Sequence, residues 1–317
     1  MSRKKLKNRR RKDRAQRKIL IAAVYIAAVI IGVGIGGHVI KKNAGKTMTT
    51  AETESKKAVS KKKETAKKLT INENETDASN KENQGQKDQA DDRNEFAVQP
   101  GRKVGTTEQS DEKVVYLTLD DGPSKNTQAV LDILDKYNAK ATFFVTGAMP
   151  EYKDMIKKAY DKGHTIGMHT YSHDYAKVYA SVDAYFQDLD QIGQLVKEEI
   201  GYVPCFIRFP GGSSNTISAS YTKGIMTTLT QEVQARGYQY YDWNGSSGDG
   251  AVRTTEQLVN QATSFHDNNI ILLSHDSETK DTTVEALPKI IEYYQSQGYV
   301  FKALDLNSYV AHHGVNN

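Results

Sequence analysis

Two adjacent aspartates, Asp120 and Asp121, stand in TLDDGPS (118–124), and two histidines, His169 and His173, bracket HTYSH (169–173). Further along come Arg208 in RFPGG (208–212), the pair Asp242–Trp243, and His275 at the end of LSH (273–275). A histidine pair plus one carboxylate makes a three-ligand facial site with open positions, suited to Zn, Co, Fe or Mn. The second carboxylate, left free beside such a cation, can act as a base on water whose pKa falls from 15.7 towards about 7. A separate imidazole opposite can protonate a leaving group. Together these groups suit metal-assisted hydrolysis of an amide or ester. Each piece alone is weak. With eight histidines in 317 residues, an H-x-x-x-H pair arises about 0.2 times by chance. Asp-Asp-Gly-Pro is also turn composition, and the single tryptophan could be plain core filling. The combination carries the signal.

These residues need elements that bring them to one place. Apolar runs that read as buried strands are VVYLTL (114–119), ATFFVT (141–146), HTIGMH (164–169), CFIRF (205–209), YQYYDW (238–243), IILLSH (270–275) and YVFKAL (299–304). Between them lie helical patterns: 127–137 with Val130, Leu131, Leu134 and Tyr137 on one face, 182–200 with Tyr185, Leu189, Ile192 and Val196, and 284–294 with Leu287, Ile290, Ile291 and Tyr294. Alternating strands and helices with near-continuous apolar strands predict an α/β fold with a parallel sheet covered by helices. Seven strands in about 205 residues suit an irregular or reduced (β/α) barrel, since eight units need about 250; an open doubly wound sheet is the alternative. Five of the seven strand ends carry titratable groups, and in either architecture the carboxyl edge is where an active site forms.

At these motifs the sequence resembles the polysaccharide deacetylase family, carbohydrate esterase family 4-like enzymes that act on N- or O-acetylated sugars. The likeness covers about residues 113–306, with five motifs in order. The resemblance implies that Asp120 is the catalytic base, that Asp121, His169 and His173 hold a divalent metal (zinc first, cobalt or manganese next), and that His275 is the catalytic acid. It further implies that Arg208 pairs with Asp120 and keeps it ionised, and that Asp242 orients His275 and favours its protonated form. Trp243 and Leu273 would line the acetyl pocket, Thr170 would brace the metal loop, and Pro210, Gly211 and Tyr171 would meet the substrate. The sequence departs from many members in lacking an aromatic after Pro210; Gly211 can still offer its N–H to an oxyanion. The substrate implied is a cell-wall glycan, most directly the N-acetylglucosamine of peptidoglycan. Poly-N-acetylglucosamine, chitin oligomers and xylan are alternatives, and an inactive glycan-binding module is a rival from another class.

The rest of the chain divides by charge. The formal sum of +4 is +10 over residues 1–18, zero over 19–40, +3 over 41–110 and −9 over 111–317. The acidic main segment argues against a nucleic-acid-binding domain, which shows its basic stripe on the folded part. Residues 19–40, ILIAAVYIAAVIIGVGIGGHVI, reach about 33 Å as a helix, enough for a hydrocarbon core of about 30 Å. We read 1–18 as a cytoplasmic basic tail, 19–40 as an uncleaved single-pass anchor in the lipid bilayer and 41–112 as a disordered extracellular linker. Residues 113–317 are read as a catalytic domain, monomeric and held outside a bacterial cell membrane. Gly32 and Gly36 offer a small-residue pair at which two anchors could meet. Cys205, the single cysteine, excludes an intramolecular disulfide and packs as a small apolar residue. His312 and His313 receive no role and are read as part of a frayed end.

Overall fold

Val114, Val115, Leu117 and Leu119 make the first run too apolar for a surface, and in the computed structural model, which describes residues 93–317, it becomes the central strand β1 (Val114–Asp120), buried along its whole length. Among the described residues seven further strands follow: β2 (Ala141–Val145), β3 (Thr165–Met168), β4 (Phe206–Ile207), β5 (Gln239–Tyr240), β6 (Gly245–Ser246), β7 (Asn269–His275) and β8 (Val300–Phe301). Their order is β5-β4-β3-β2-β1-β7-β6, every pairing is parallel, and β8 pairs with the foot of β1. Parallel strands need crossovers, and helices supply them: α1 (Thr127–Lys136), α2 (Asp154–Asp161), α3 (Tyr175–Val178), α4 (Val182–Ile200), α5 (Ile225–Ala235), α6 (Thr255–Ala262) and α7 (Asp281–Ser296).

The expected reduced barrel of parallel strands is therefore found, with one difference. The run expected as a single strand over 238–243 is interrupted: β5 pairs with β4, and six residues on β6 pairs with β7. The two short strands thus bridge opposite edges of the sheet. Asn244 makes the transition, donating from Nδ2 to Asn269 O and accepting from the Ile271 N–H. The long connections after His173 and Pro210 hold helices of their own.

The helices bury the faces expected of them: Val130, Leu131 and Leu134 on α1, Tyr185, Leu189, Ile192 and Val196 on α4, and Leu287, Ile290, Ile291 and Tyr294 on α7. Local signals fix the ends of α4. The Ser181 hydroxyl accepts from the Ala184 N–H, and Gly201 closes the helix at φ 91°, a left-handed position that glycine adopts without strain.

Residues 93–112, assigned to the linker by composition, pack on the barrel. Phe96 is buried edge-on against Phe206, Val98 N–H donates to Val203 O, Gly105 N–H donates to Leu306 O, and Thr106 bridges Tyr309. A few apolar residues suffice because each meets a preformed wall of the barrel. The tail 1–18, the stretch 19–40 and the linker up to residue 92 lie outside the described residues. Among the described residues no helix is long and apolar enough to cross a membrane.

Candidate active site

Strand register assembles the site. β1 and β7 pair so that Asp120 lies beside His275, both at the carboxyl edge. Met168 pairs with Ile207 and Ile207 with Tyr240, so His169, Arg208 and Tyr241 follow at one level, one residue past the strands. Five distant segments meet because all their strands point the same way.

Arg208 is wholly buried and four hydrogen bonds hold it: Nε donates to Tyr241 O, Nη1 to Thr118 Oγ1 and Asp120 Oδ1, and Nη2 to Asp242 O. Its guanidinium lies over the Phe144 ring. The expected pairing with Asp120 is present, at 2.8 Å. Arg208 acts on the Asp120 pKa in the expected downward direction, but burial outweighs it. Burial raises the Asp120 pKa above the ordinary carboxylate value, and the opposing charges of Arg208 and His275 reduce that rise without reversing it. A carboxylate with no access to water loses more hydration than one guanidinium returns. The direction suits a base, which grips a proton better when its pKa is raised.

Asp121, His169 and His173 bring three ligand atoms within 4.8 Å of one another. Asp121 Oδ1 lies 3.6 Å from His169 Nε2 and 3.4 Å from His173 Nε2. That oxygen is buried and makes no hydrogen bond among the described residues, an arrangement that costs free energy unless a cation takes the lone pairs. His169 Nδ1 donates to Arg208 O at 2.8 Å, which leaves Nε2 with its lone pair towards the other two ligands. Burial, then the charge of His173, pushes the His169 pKa down to about 3, so the ring is neutral, as a ligand must be. The donor set fits a divalent cation. The backbone is bent to make it so: Asp121, Thr170 and His173 sit at φ 72°, 67° and 49°. Non-glycine residues hold such angles only where their surroundings over-determine them. One such support is Asp188 of α4, whose Oδ1 accepts from the Tyr171 and Ser172 N–H groups between the two histidines.

His275 Nδ1 is 2.8 Å from Asp249 Oδ1, and the His275 N–H donates to Asp249 Oδ2. Burial alone pushes this imidazole down. The hydrogen bond and charge of Asp249, with the charges of Asp120 and Asp121, overturn that and raise its pKa to about 9. The same pairing lowers the Asp249 carboxyl, against burial. Thr283 Oγ1 donates to Asp249 Oδ2, and Lys280 Nζ donates to Asp249 O. The orienting carboxylate is therefore Asp249, and the expected role of Asp242 is corrected. Asp242 lies just past β5, whereas the chain reaches His275 only after β6 has crossed to β7, seven residues on.

Asp242 serves the glycine turn instead. It is fully buried and accepts from the Ser213 N–H and Oγ and from the His313 N–H. Gly211 and Gly212 adopt φ 75° and 77°. A Cβ on Gly212 would lie 2.9 Å from the Trp243 ring, so the turn needs glycine for space as well as angle. Tyr179 Oη donates to Pro210 O at 2.7 Å and steadies the other side. Leu273 lines β7 two residues before His275, on the same face, and Trp243 flanks Arg208 at 5.7 Å. Tyr171 packs its ring over Gly147, where the Gly147 N–H donates to Tyr171 O. An open cleft of about 160 Å³ adjoins Asp121 and His173, walled by Thr146, Met149, Ser277 and Glu278.

Comparison with known proteins agrees with this geometry. A family model described as polysaccharide deacetylase matches residues 107–229. A peptidoglycan-N-acetylglucosamine deacetylase of Bacillus cereus is 32% identical over 202 residues, 60% of this chain and 69% of the relative. The chain belongs to the polysaccharide deacetylase family. Solved members agree: the catalytic domain of a peptidoglycan N-acetylglucosamine deacetylase from Eubacterium rectale superposes with TM-score 0.65 at 46% identity, covering 67% of this chain and 98% of that one. A Bacillus cereus polysaccharide deacetylase gives 0.55 at 31%, covering 61% and 93%.

For a polysaccharide deacetylase, the residues read from sequence converge almost completely: Asp120, Asp121, His169, His173, Arg208, Gly211, Trp243, Leu273 and His275 share one edge. Those missed are the supports, namely Asp249, Asp188, Ser213, Thr283, Tyr179 and His313. Asp249 follows a glycine in SSGDG, which reads as a turn, and Asp188 interrupts an apolar helix face. That interruption was a readable signal, because a carboxylate on a buried stripe needs a partner.

Proposed function

We propose that the protein is a metal-dependent hydrolase that removes acetyl groups from N-acetylated sugars of a cell-wall glycan, foremost the N-acetylglucosamine of peptidoglycan. The observation that carries this reading is one edge that gathers buried Asp120 beside Arg208, the Asp121–His169–His173 cluster and His275 bonded to buried Asp249. Relatives named as peptidoglycan N-acetylglucosamine deacetylases support the substrate class. The charge pattern of residues 1–40 supports a catalytic domain held outside the membrane on a single-pass anchor.

In this mechanism Asp121, His169 and His173 would hold the cation, zinc by its preference for imidazole and carboxylate in a three-ligand open site. A bound divalent cation supplies Lewis acidity to the acetyl carbonyl and lowers the pKa of water. Asp120, fixed by Arg208, takes a proton from the water whose oxygen attacks that carbonyl. The Gly211 N–H donates to the oxygen as negative charge gathers on it, a type of contact worth about 3–4 kcal/mol when removed. His275, kept protonated by Asp249, gives its proton to the sugar nitrogen as the carbon–nitrogen bond breaks. Acetate leaves, and the sugar keeps a free amine.

The test is acetate release from purified peptidoglycan, chitin oligomers and acetylated xylan, with and without chelator. Release from peptidoglycan that chelator stops and zinc restores is the expected result. No acetate from any glycan would sink the proposal.

A further inference from the structure

The residues beyond Tyr309 run along the β5–β6 segment. His312 stacks on Tyr240, with ring centroids 3.9 Å apart, and His313 is set deeper. The contacts of His313 run to residues that flank the site. Its N–H donates to Asp242 Oδ2 at 2.8 Å. Its Nε2 lies 2.6 Å from Trp243 O, and because a carbonyl only accepts, Nε2 carries a proton. Its Nδ1 is 3.1 Å from Ser214 Oγ, which can donate to it. The Ser213 hydroxyl reaches His313 O at 3.4 Å, and the imidazole stands edge-on to the Trp243 indole at 4.8 Å. These histidines are therefore not a frayed end: His313 joins the glycine turn to the tryptophan.

Among the described residues the backbone before Trp243 is tied to the glycine turn by Asp242, and His313 adds the tie at Trp243 itself. Asp242 fixes Ser213, but the indole rests on Gly212, which has no side chain to hold it. We propose that His313 is a positioning residue of the active site, clamping Trp243 to the Ser213–Ser214 turn so that the Gly211 amide and the indole keep their places around the acetyl group. The inference rests on the deacetylase reading above. An amide that acts on charge developed in the transition state changes kcat when displaced, and leaves ground-state binding alone.

The test uses the full chain with His313→Ala and His313→Gln, the second because its side-chain amide can still donate to Trp243 O. Trp243 is the single tryptophan, so its fluorescence reports this joint without interference. Expected for His313→Ala is a kcat for acetate release lower by about tenfold or more, with metal content and melting temperature retained. Trp243 emission should shift to the red and become easier to quench with acrylamide. His313→Gln should recover both. Unaltered kcat or unaltered Trp243 emission in His313→Ala overturns the proposal, as does a loss of kcat that follows metal content or melting temperature. If the unaltered protein releases no acetate from any glycan, the deacetylase reading fails. The clamp is then judged by Trp243 emission, which stays unchanged in His313→Ala if the clamp is wrong.

Discussion

A base and an acid that share one pocket must hold opposite protonation states at the same pH, and two buried aspartates arrange this differently. Asp120 is raised by burial with Arg208 opposing, while His275 is raised to about 9 by Asp249 against burial. The base works ionised and the acid works protonated. Activity therefore rises through a pKa above the ordinary carboxylate value and falls as pH passes about 9. Asp249→Asn removes the charge that overturns burial, so the alkaline limb of kcat should move to lower pH, and a pH profile of acetate release checks it. An alkaline limb that stays in place would remove Asp249 from this role. Asp120→Asn should cut kcat by about 10²–10⁴-fold while metal content holds, since the proposed mechanism uses Asp121 as the ligand and Asp120 as the base. Elemental analysis alongside the assay separates the two.

At the scale of elements, helices hold what strand ends present. Asp188 of α4 receives two N–H groups of the loop between His169 and His173, a loop held at two left-handed non-glycine positions. Removing that acceptor frees the loop to relax and spreads the imidazoles. Asp188→Ala should weaken metal binding by about 10–100-fold, read by competition with a chromophoric chelator. Unchanged affinity would show that the loop keeps its shape alone. β1 and β4 are also coupled, through Arg208 and Asp120. Replacing Arg208 with Met leaves a carboxylate buried without its counter-charge, at a cost of about 3–5 kcal/mol. Thermal unfolding should show the loss, and a melting temperature near that of the unaltered protein would contradict it.

Over the whole molecule, the barrel is braced by chain that lies far from its centre in sequence. Phe96 packs on Phe206, and the segment around Thr106 pairs with Tyr309, next to the residues that carry His312 and His313. The domain therefore starts earlier than its first strand. Phe96→Ala should cost about 3–5 kcal/mol, the usual loss for a large aromatic in a core, measured by denaturant unfolding. An unchanged midpoint would show that residues 93–106 only rest on the surface.

The alternation of apolar runs and helical faces was enough to define a parallel α/β barrel, because hydrophobic periodicity is local and each strand and helix carries its own copy. The metal trio, Arg208 and His275 were legible for a related reason: chemistry concentrates at strand ends, where a core does not welcome titratable groups. The partners of those groups were not legible. Asp249 rather than Asp242 reaches His275 because the β5–β6 run crosses from one edge of the sheet to the other before meeting β7. Whether Arg208 or burial decides the Asp120 pKa depends on hydration lost in three dimensions, which no motif encodes. His313 gains its place because the chain beyond Tyr309 returns to the β5–β6 segment. Residue types and spacing thus determined which reaction the edge could support, and tertiary structure decided which side chains hold its groups, since those contacts span residues far apart in the chain.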